Sequence, residues 1–201
     1  MAASSSSSKL HSTVGWGLLV LGIAVFAIRF QHAGPYAVPR GANLFGGSGA
    51  LLLGGVLVWS APARGPKWLA LAASPVVFFF ALYATMAELE EVVSLYATDS
   101  SGRPAELRLW IVDREDAEWV GMPRSKALEH SLDGAQIQLL RSGETRCVVP
   151  ALHEDRKTGT EIHALKVEKY AVARAAAAIG LYPNEAPEGS ASLRLDACPG
   201  G

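Results

Sequence analysis

Residues able to do chemistry lie almost wholly in the second half of the chain. Asp99-Ser100-Ser101-Gly102 reads as a tight turn. Its residues Ser100, Ser101 and Gly102 can present backbone N–H groups and hydroxyls to a phosphate, or can simply reverse a hairpin. Arg103 and Arg108 follow, either as ligand contacts or as the solvated face of that hairpin. His153-Glu154-Asp155 and His163 carry the residue types of a metal site. Adjacent residues diverge at a strand end, however, and His163 falls in a separate helical segment, which reads against metal. Cys147 sits in a β-branched run and Cys198 follows the last expected strand. The two can form a disulfide that ties down the tail, or stand as unrelated free thiols. With only Arg146 beside it, Cys147 reads as buried or bridged rather than nucleophilic. No serine-hydrolase elbow and no phosphate-binding loop is present.

The elements that must position these residues are short and extended. Segment 92–98 is a strand candidate, and 106–112 is a second, with Leu107, Leu109 and Ile111 alternating against Arg108 and Trp110. The turn at residues 99–102 makes them a hairpin. A third strand at 117–122, a short proline-started helix at 123–132 and a fourth strand at 135–140 follow. Arg141-Ser142-Gly143-Glu144 turns the chain into a fifth strand at 145–152. Thr158-Gly159-Thr160-Glu161 opens a long helix to residue 179, with Ile162, Leu165, Val167, Tyr170, Val172 and Ala173 on its apolar face and Gly180 as its stop. A closing strand at 190–196 completes the order β-β-β-α-β-β-α-β, which suits a small, mostly antiparallel barrel with helices on its outside.

The first half is of another kind. The chain has 201 residues, half of them hydrophobic, and a formal net charge of −1. Between Ser12 and Ala87, however, the only charged side chains are Arg29, Arg40, Arg64 and Lys67. Three nearly uncharged stretches, about 14–30, 43–61 and 68–87, approach the roughly 20 residues that cross a bilayer core. Gly34-Pro35, Pro39-Arg40-Gly41, Pro62 and Pro66 punctuate them, and Trp16, Trp59 and Trp68 lie near their ends. The fold class expected is therefore α+β, with a transmembrane bundle of three helices in 1–91 and a barrel domain in 92–201. The first stretch is long for a signal peptide and reads as a retained anchor. Glu88, Glu90 and Glu91 mark the expected exit from the bilayer. Gly46, Ala50 and Gly54 form a smooth stripe for helix packing within the bundle or for dimerisation. Pro75 is expected to kink the third helix. Lys9, Arg64 and Lys67 on one side, against Arg29 and Arg40 on the other, favour the N-terminus inside and the barrel domain extracytoplasmic. The expected partners are the lipid bilayer and either a second copy of the chain or another membrane protein. The balanced charge excludes a nucleic-acid footprint.

The second half resembles the deazaflavin-dependent nitroreductase-like family of the FMN-binding split-barrel superfamily. Ser101-Gly102-Arg103-Pro104 and Arg108-Leu109-Trp110 are similar to the family's turn and to the Leu-Trp of its next strand. Residues 125–143 fit its helix-strand segment in length and apolar pattern, and Lys169-Tyr170 is similar to the Lys-Tyr of its last helix. The resemblance covers about 92–196 and leaves the membrane half outside it. It implies a split barrel with a deazaflavin or FMN groove, phosphate held by Ser100, Ser101, Gly102 and Arg103, with Arg108 a further cofactor contact. Trp110 and His130 would border the ring, and Lys169 and Tyr170 would line the groove. Departures fall on the same chemistry. Ser100 and Ala105 stand where the family has basic residues, and Ala127 and His130 where it has Trp and Asn. Arg103, Arg108, Arg124 and Lys126 are the cations available to compensate.

Two functions follow from this reading. One is a membrane-anchored split barrel with weak or lost cofactor binding that serves as a binding or assembly module. The other is an active flavin- or deazaflavin-dependent oxidoreductase acting on a small membrane-associated acceptor, in which the protein supplies orientation rather than acid-base chemistry.

Overall fold

The computed structural model describes residues 3–36, 42–59, 64–183 and 185–200. It divides into two compact units, one of Met1–Ala33 with Val38–Leu89 and one of Gly34–Ala37 with Glu90–Gly201.

The first unit is three packed helices, α1 (Ala3–Gln31), α2 (Ala42–Val58) and α3 (Arg64–Leu89). Helix α1 starts well before residue 14 because the serine run does not interrupt helical backbone. Two segments, Lys9–Gln31 of 23 residues and Gly65–Leu89 of 25, are long and apolar enough to cross a membrane. The middle stretch, Asn43–Val58, is shorter than that length and shorter than the expected 43–61. At 1.5 Å per residue it reaches only about 24 Å. The expected breaks at Pro39, Arg40, Gly41 and Pro62 lie outside the described residues. Pro75 sits inside α3 without ending it, and Ser74 Oγ donates to Ala70 O at 2.7 Å.

The small-residue stripe of α2 is used inside this unit. A Cβ on Gly46 would lie 2.8 Å from the backbone N of Ala81 in α3, and one on Gly54 would lie 2.8 Å from the carbonyl of Gly15 in α1. Ala50 between them is fully buried. Arg29 lies 3.8 Å from the Glu88 carboxylate, and Asn43 Nδ2 donates to the same carboxylate at 3.1 Å. One end of the unit is thus closed by polar contacts from all three helices. Large apolar side chains, including Trp16, Ile23, Leu52, Leu69 and Val76, face outward.

The second unit is a closed antiparallel barrel with strand order β1-β2-β3-β6-β5-β4. Its strands are β1 (Val92–Thr98), β2 (Pro104–Arg114), β3 (Ala117–Pro123), β4 (Ile137–Arg141), β5 (Glu144–His153) and β6 (Ser190–Ala197). The expected order of elements is present, and the fold class is α+β with a six-stranded barrel and packed helices. The alternation of β2 determines its faces. Leu107, Leu109 and Ile111 join Val93, Leu95, Val120, Leu139, Val148 and Leu193 inside the barrel, while Trp110 and Val112 face out toward helices. Ser142 (φ 52°) and Gly143 (φ 85°) form the two-residue turn between β4 and β5, the mirror-image turn whose twist suits a hairpin. Glu115 and Asp116 make the same left-handed pair between β2 and β3, and β2 runs on to Arg114 at this turn, beyond the expected 112.

Helix α4 (Arg124–Glu129) is shorter than the expected 123–132 because Pro123 still pairs with Ser190 in the sheet. Its Ala127, with Leu132 beyond it, closes onto the barrel core. The long helix expected from residue 158 to 179 is two helices, α5 (Arg156–Lys169) and α6 (Ala171–Ala178). Asp155 starts α5, accepting from Thr158 N at 2.8 Å. Tyr170 breaks the run with an extended backbone (φ −96°, ψ 119°). Gly180 (φ 73°) follows the end of α6, as the sequence leads one to expect. Glu90 accepts from Val172 N at 3.1 Å and so satisfies the start of α6.

Candidate functional site

The β1–β2 turn is built around one carboxylate. Asp99 Oδ1 accepts from Ser101 N (2.8 Å), Ser101 Oγ (2.6 Å) and Arg103 N (2.9 Å), while Oδ2 accepts from Arg103 Nε at 2.9 Å. Gly102 N donates to the Asp99 carbonyl at 2.9 Å. The hydrogen bonds from Ser101 and from the Arg103 backbone hold the Asp99 carboxyl far below the usual carboxylate range. Two of the donors expected to meet a phosphate, Ser101 N and Ser101 Oγ, are therefore taken by a permanent anion, and Gly102 N is taken by the carbonyl of the same residue. A phosphate placed there would have to displace that anion or sit beside it. Arg103 itself is largely exposed and pairs with Asp99 at 2.8 Å.

The other expected site residues are distributed over the barrel. Arg108, on the outer face of β2, lies 3.5 Å from Ser94 Oγ and 4.0 Å from Glu106. Trp110 stacks on Tyr170 with ring centroids 4.7 Å apart and planes 14° apart, so one face of the indole is covered by a side chain of the protein itself. The buried Tyr170 hydroxyl accepts from Ile111 N at 2.8 Å and lies 2.6 Å from Ile111 O and 2.9 Å from Glu91 O. This is the point where β2 passes from pairing with β1 to pairing with β3, since Trp110 opposes Val92 and Ile111 opposes Val120. Burial pushes the Tyr170 phenol well above its ordinary value. Removing the hydroxyl in Tyr170→Phe strands a buried N–H and is expected to lower barrel stability by roughly 2–3 kcal/mol. Denaturant midpoints at unchanged slope would check it, and a loss below about 0.5 kcal/mol would mean that water reaches Ile111.

Lys169 donates to Ile111 O at 2.8 Å and pairs with Glu91. It belongs to an ionic network centred on Arg141, which binds both oxygens of Asp113 (2.7 and 2.9 Å), Glu91 at 2.8 Å and Glu118 at 2.7 Å, while Arg146 also pairs with Glu118. The Asp113 contacts raise Arg141 further above its usual range, and Arg141 in turn lowers Asp113. Burial works against ionisation of Glu91, but Lys169 and Arg141 outweigh it and lower the group overall.

His130 caps the end of α4 and is buried, not exposed as a surface helix position would be; its Nδ1 has no hydrogen-bond partner among the described residues. The groups with metal-ligand chemistry are dispersed. His153 packs on Trp119 at 4.9 Å, Glu154 pairs with Arg124 at 2.6 Å, and Asp155 caps α5. Cys147 and Cys198 form a disulfide across β5 and the residue after β6, one step beyond the Val148–Ala197 pair.

A concave site of this unit falls on residues with no catalytic or binding motif in the sequence. A cavity of about 250 Å³ lies under α5, between the ends of β3 and β6 and the loop residues Tyr182, Pro183 and Ala186–Gly189. Lys166 lines it, 9% exposed, with Nζ donating to Gly121 O at 3.2 Å. Burial alone lowers the amine from its ordinary 10.5 to about 8. His163 lines it too, with Nε2 2.6 Å from Pro183 O and its ring stacked on Tyr182 at 4.7 Å. The available signal was register. Ile162, Lys166 and Tyr170 recur every four residues, which places a lysine on the stripe that must be buried.

A closed six-stranded antiparallel barrel carrying helices on its outer face thus defines the second unit. No protein-family profile matches the chain. No curated protein matches it. Among solved structures it is similar to a conserved hypothetical protein from Mycobacterium tuberculosis (13% identity, 58% of this chain and 79% of that one, TM-score 0.40). It is also similar to HutZ, the heme storage protein from Vibrio cholerae (16%, 54% and 82%, TM-score 0.40). A third is a Listeria innocua protein provisionally described as a pyridoxamine 5′-phosphate oxidase (10%, 55% and 86%, TM-score 0.39).

Proposed function

We propose that this chain is a membrane-anchored split-barrel protein of the FMN-binding superfamily whose cofactor turn has been given over to structure, leaving the barrel as a binding or assembly module. The observation that carries the reading is the Asp99 carboxylate, which takes the Ser101 and Arg103 donors. With Ser100 and Ala105 in place of basic residues, the turn does not fit a phosphate-bearing deazaflavin or FMN. Two lost charge-assisted contacts at roughly 1.5–3 kcal/mol each weaken binding by about a hundredfold or more. Trp110, Lys169 and Tyr170 are occupied with one another and with β2.

Membrane anchoring is supported by the two long apolar helices and by the outward-facing Trp16, Ile23, Leu52, Leu69 and Val76, which have no reason to face water. Helix α2 completes the bundle as a third, shorter apolar element that reaches across if the bilayer thins locally or if flanking residues extend it. The Cys147–Cys198 bridge supports an extracytoplasmic barrel, since such bonds persist in oxidising compartments.

The test is a visible and near-ultraviolet titration of the detergent-purified chain with FMN and with deazaflavin. No saturable spectral change is expected. Saturable binding that disappears in Arg103→Ala would overturn the reading and make a flavin- or deazaflavin-dependent oxidoreductase, acting on a small membrane-associated acceptor, the leading one.

A further inference from the structure

Lys166 is a cation placed where few cations are tolerated. Its side chain reaches from α5 to the end of β3, and a Cβ on Gly121 would sit 2.5 Å from Nζ, so the absence of a side chain at 121 is what admits the amine. An ammonium carries three donors. Among the described residues Nζ has one acceptor, Gly121 O, and no carboxylate partner. The titratable groups that line the cavity with it are His163 from α5 and, beyond α6, Tyr182 and Glu188; β3 and β6 contribute none. The Nε2 atom of His163 is committed to Pro183 O, and Glu188 is exposed. The remaining wall is mostly apolar, with Met122, Pro123, Ile162, Ala186 and Pro187 prominent.

We propose that this cavity binds a small monocarboxylate with an apolar body, its carboxylate accepting hydrogen bonds from the Lys166 ammonium and its body filling the space between α5 and the loop residues Pro183, Ala186 and Pro187. A buried, unpaired cation is costly, and an anion that pairs with it offsets the cost inside a low-dielectric wall. A single cation matches a single carboxylate charge; a phosphate dianion would stay undercompensated. The volume of about 250 Å³ exceeds the ~150 Å³ in which a benzene ring fits, leaving room for a ring and a carboxylate. A carbonyl ligand captured covalently by the amine is the less favoured chemistry. Even with a titration near 8 most of the amine is protonated at neutral pH, and His163 Nε2, hydrogen-bonded to the loop, is poorly placed to take that proton.

The experiment is calorimetric titration of phenylacetate into the detergent-purified full chain at pH 7, with the neutral isostere phenylacetamide as control. Saturable binding is expected for the acid. It should weaken at least about tenfold for phenylacetamide and in Lys166→Met, the loss of one charge-assisted contact. It should also fall away as pH rises through the Lys166 titration. Melting curves establish that Lys166→Met is folded, and Ala186→Phe, which fills the cavity from the loop and keeps the lysine, should abolish binding independently. Equal binding of acid and amide, or by Lys166→Met, would overturn the proposal in favour of simple apolar partition. No saturable binding would overturn it outright. Borohydride trapping of benzaldehyde on Lys166 without phenylacetate binding would replace it with an amine that reacts.

Discussion

Opening the Cys147–Cys198 bridge is expected to cost the barrel about 4 kcal/mol, a large fraction of what a domain of this size has to spare. The bridge closes a loop of 51 residues, which contains the whole of α5, α6 and β6. In the chain-entropy view a loop of that length falls between the ~3 kcal/mol of a short one and the ~4.7 kcal/mol of a 100-residue one. Position adds to length. β6 lies between β3 and β5 and closes the barrel, and its last ladder pair, Val148 with Ala197, abuts the bridge. With the bridge open, that end of β6 is held only by the ladder and the weak Cys198 N to Cys147 O contact at 3.4 Å. Denaturant unfolding of the full chain, followed by the barrel's Trp110 and Trp119, should show a lower midpoint after reduction and in Cys147→Ser with Cys198→Ser. A shift below about 1 kcal/mol would mean that the closed ladder alone fixes β6.

Much of the barrel was readable because its signals are local. The alternation of β2, the Ser142-Gly143 turn and the Gly180 stop each act over a few residues, and each is where the sequence places it. What escaped the sequence depends on partners far along the chain. Lys169, Tyr170 and Ala171 are all acceptable inside a helix, and the helix breaks there because the Tyr170 hydroxyl is needed at Ile111, 59 residues away. The partners of Glu90 and Glu91, namely Val172 N, Lys169 and Arg141, all lie far along the chain and leave no local trace in the sequence. In the first unit, composition gave three apolar stretches, but the described helix of the second stops at Val58 and falls short of a crossing length. The candidate site was less legible than the fold. Asp99 belongs to a residue type that hydrogen-bonds its own backbone two residues on, so its capture of the Ser101 N–H was available to a local reading. The cavity was not, because its wall joins β3, α5 and a proline-rich loop that are distant in sequence.

The same lysine that defines the cavity should dominate the alkaline stability profile. Unfolded, Lys166 holds its proton up to about pH 10.5; in the native barrel burial brings the titration down to about 8. Between those values the unfolded chain binds more protons than the native one, so stability rises with pH across the window and levels off above it. A displacement of that size corresponds to roughly 3 kcal/mol. Below pH 8 the native state carries the full penalty of a buried ammonium without a carboxylate partner among the described residues. Lys166→Met keeps the side-chain volume and removes that penalty. The variant is therefore expected to be more stable than the parent by up to about 3 kcal/mol at pH 7, with the advantage shrinking through pH 8–10 and gone by about pH 10.5. Both cysteines are bridged, so no thiol is available to reshuffle the disulfide during the alkaline measurements. Guanidinium titrations of parent and variant at matched pH would trace the difference directly. A difference that stays constant with pH would mean that the methionine acts through packing alone, and that the amine is solvated in the native barrel.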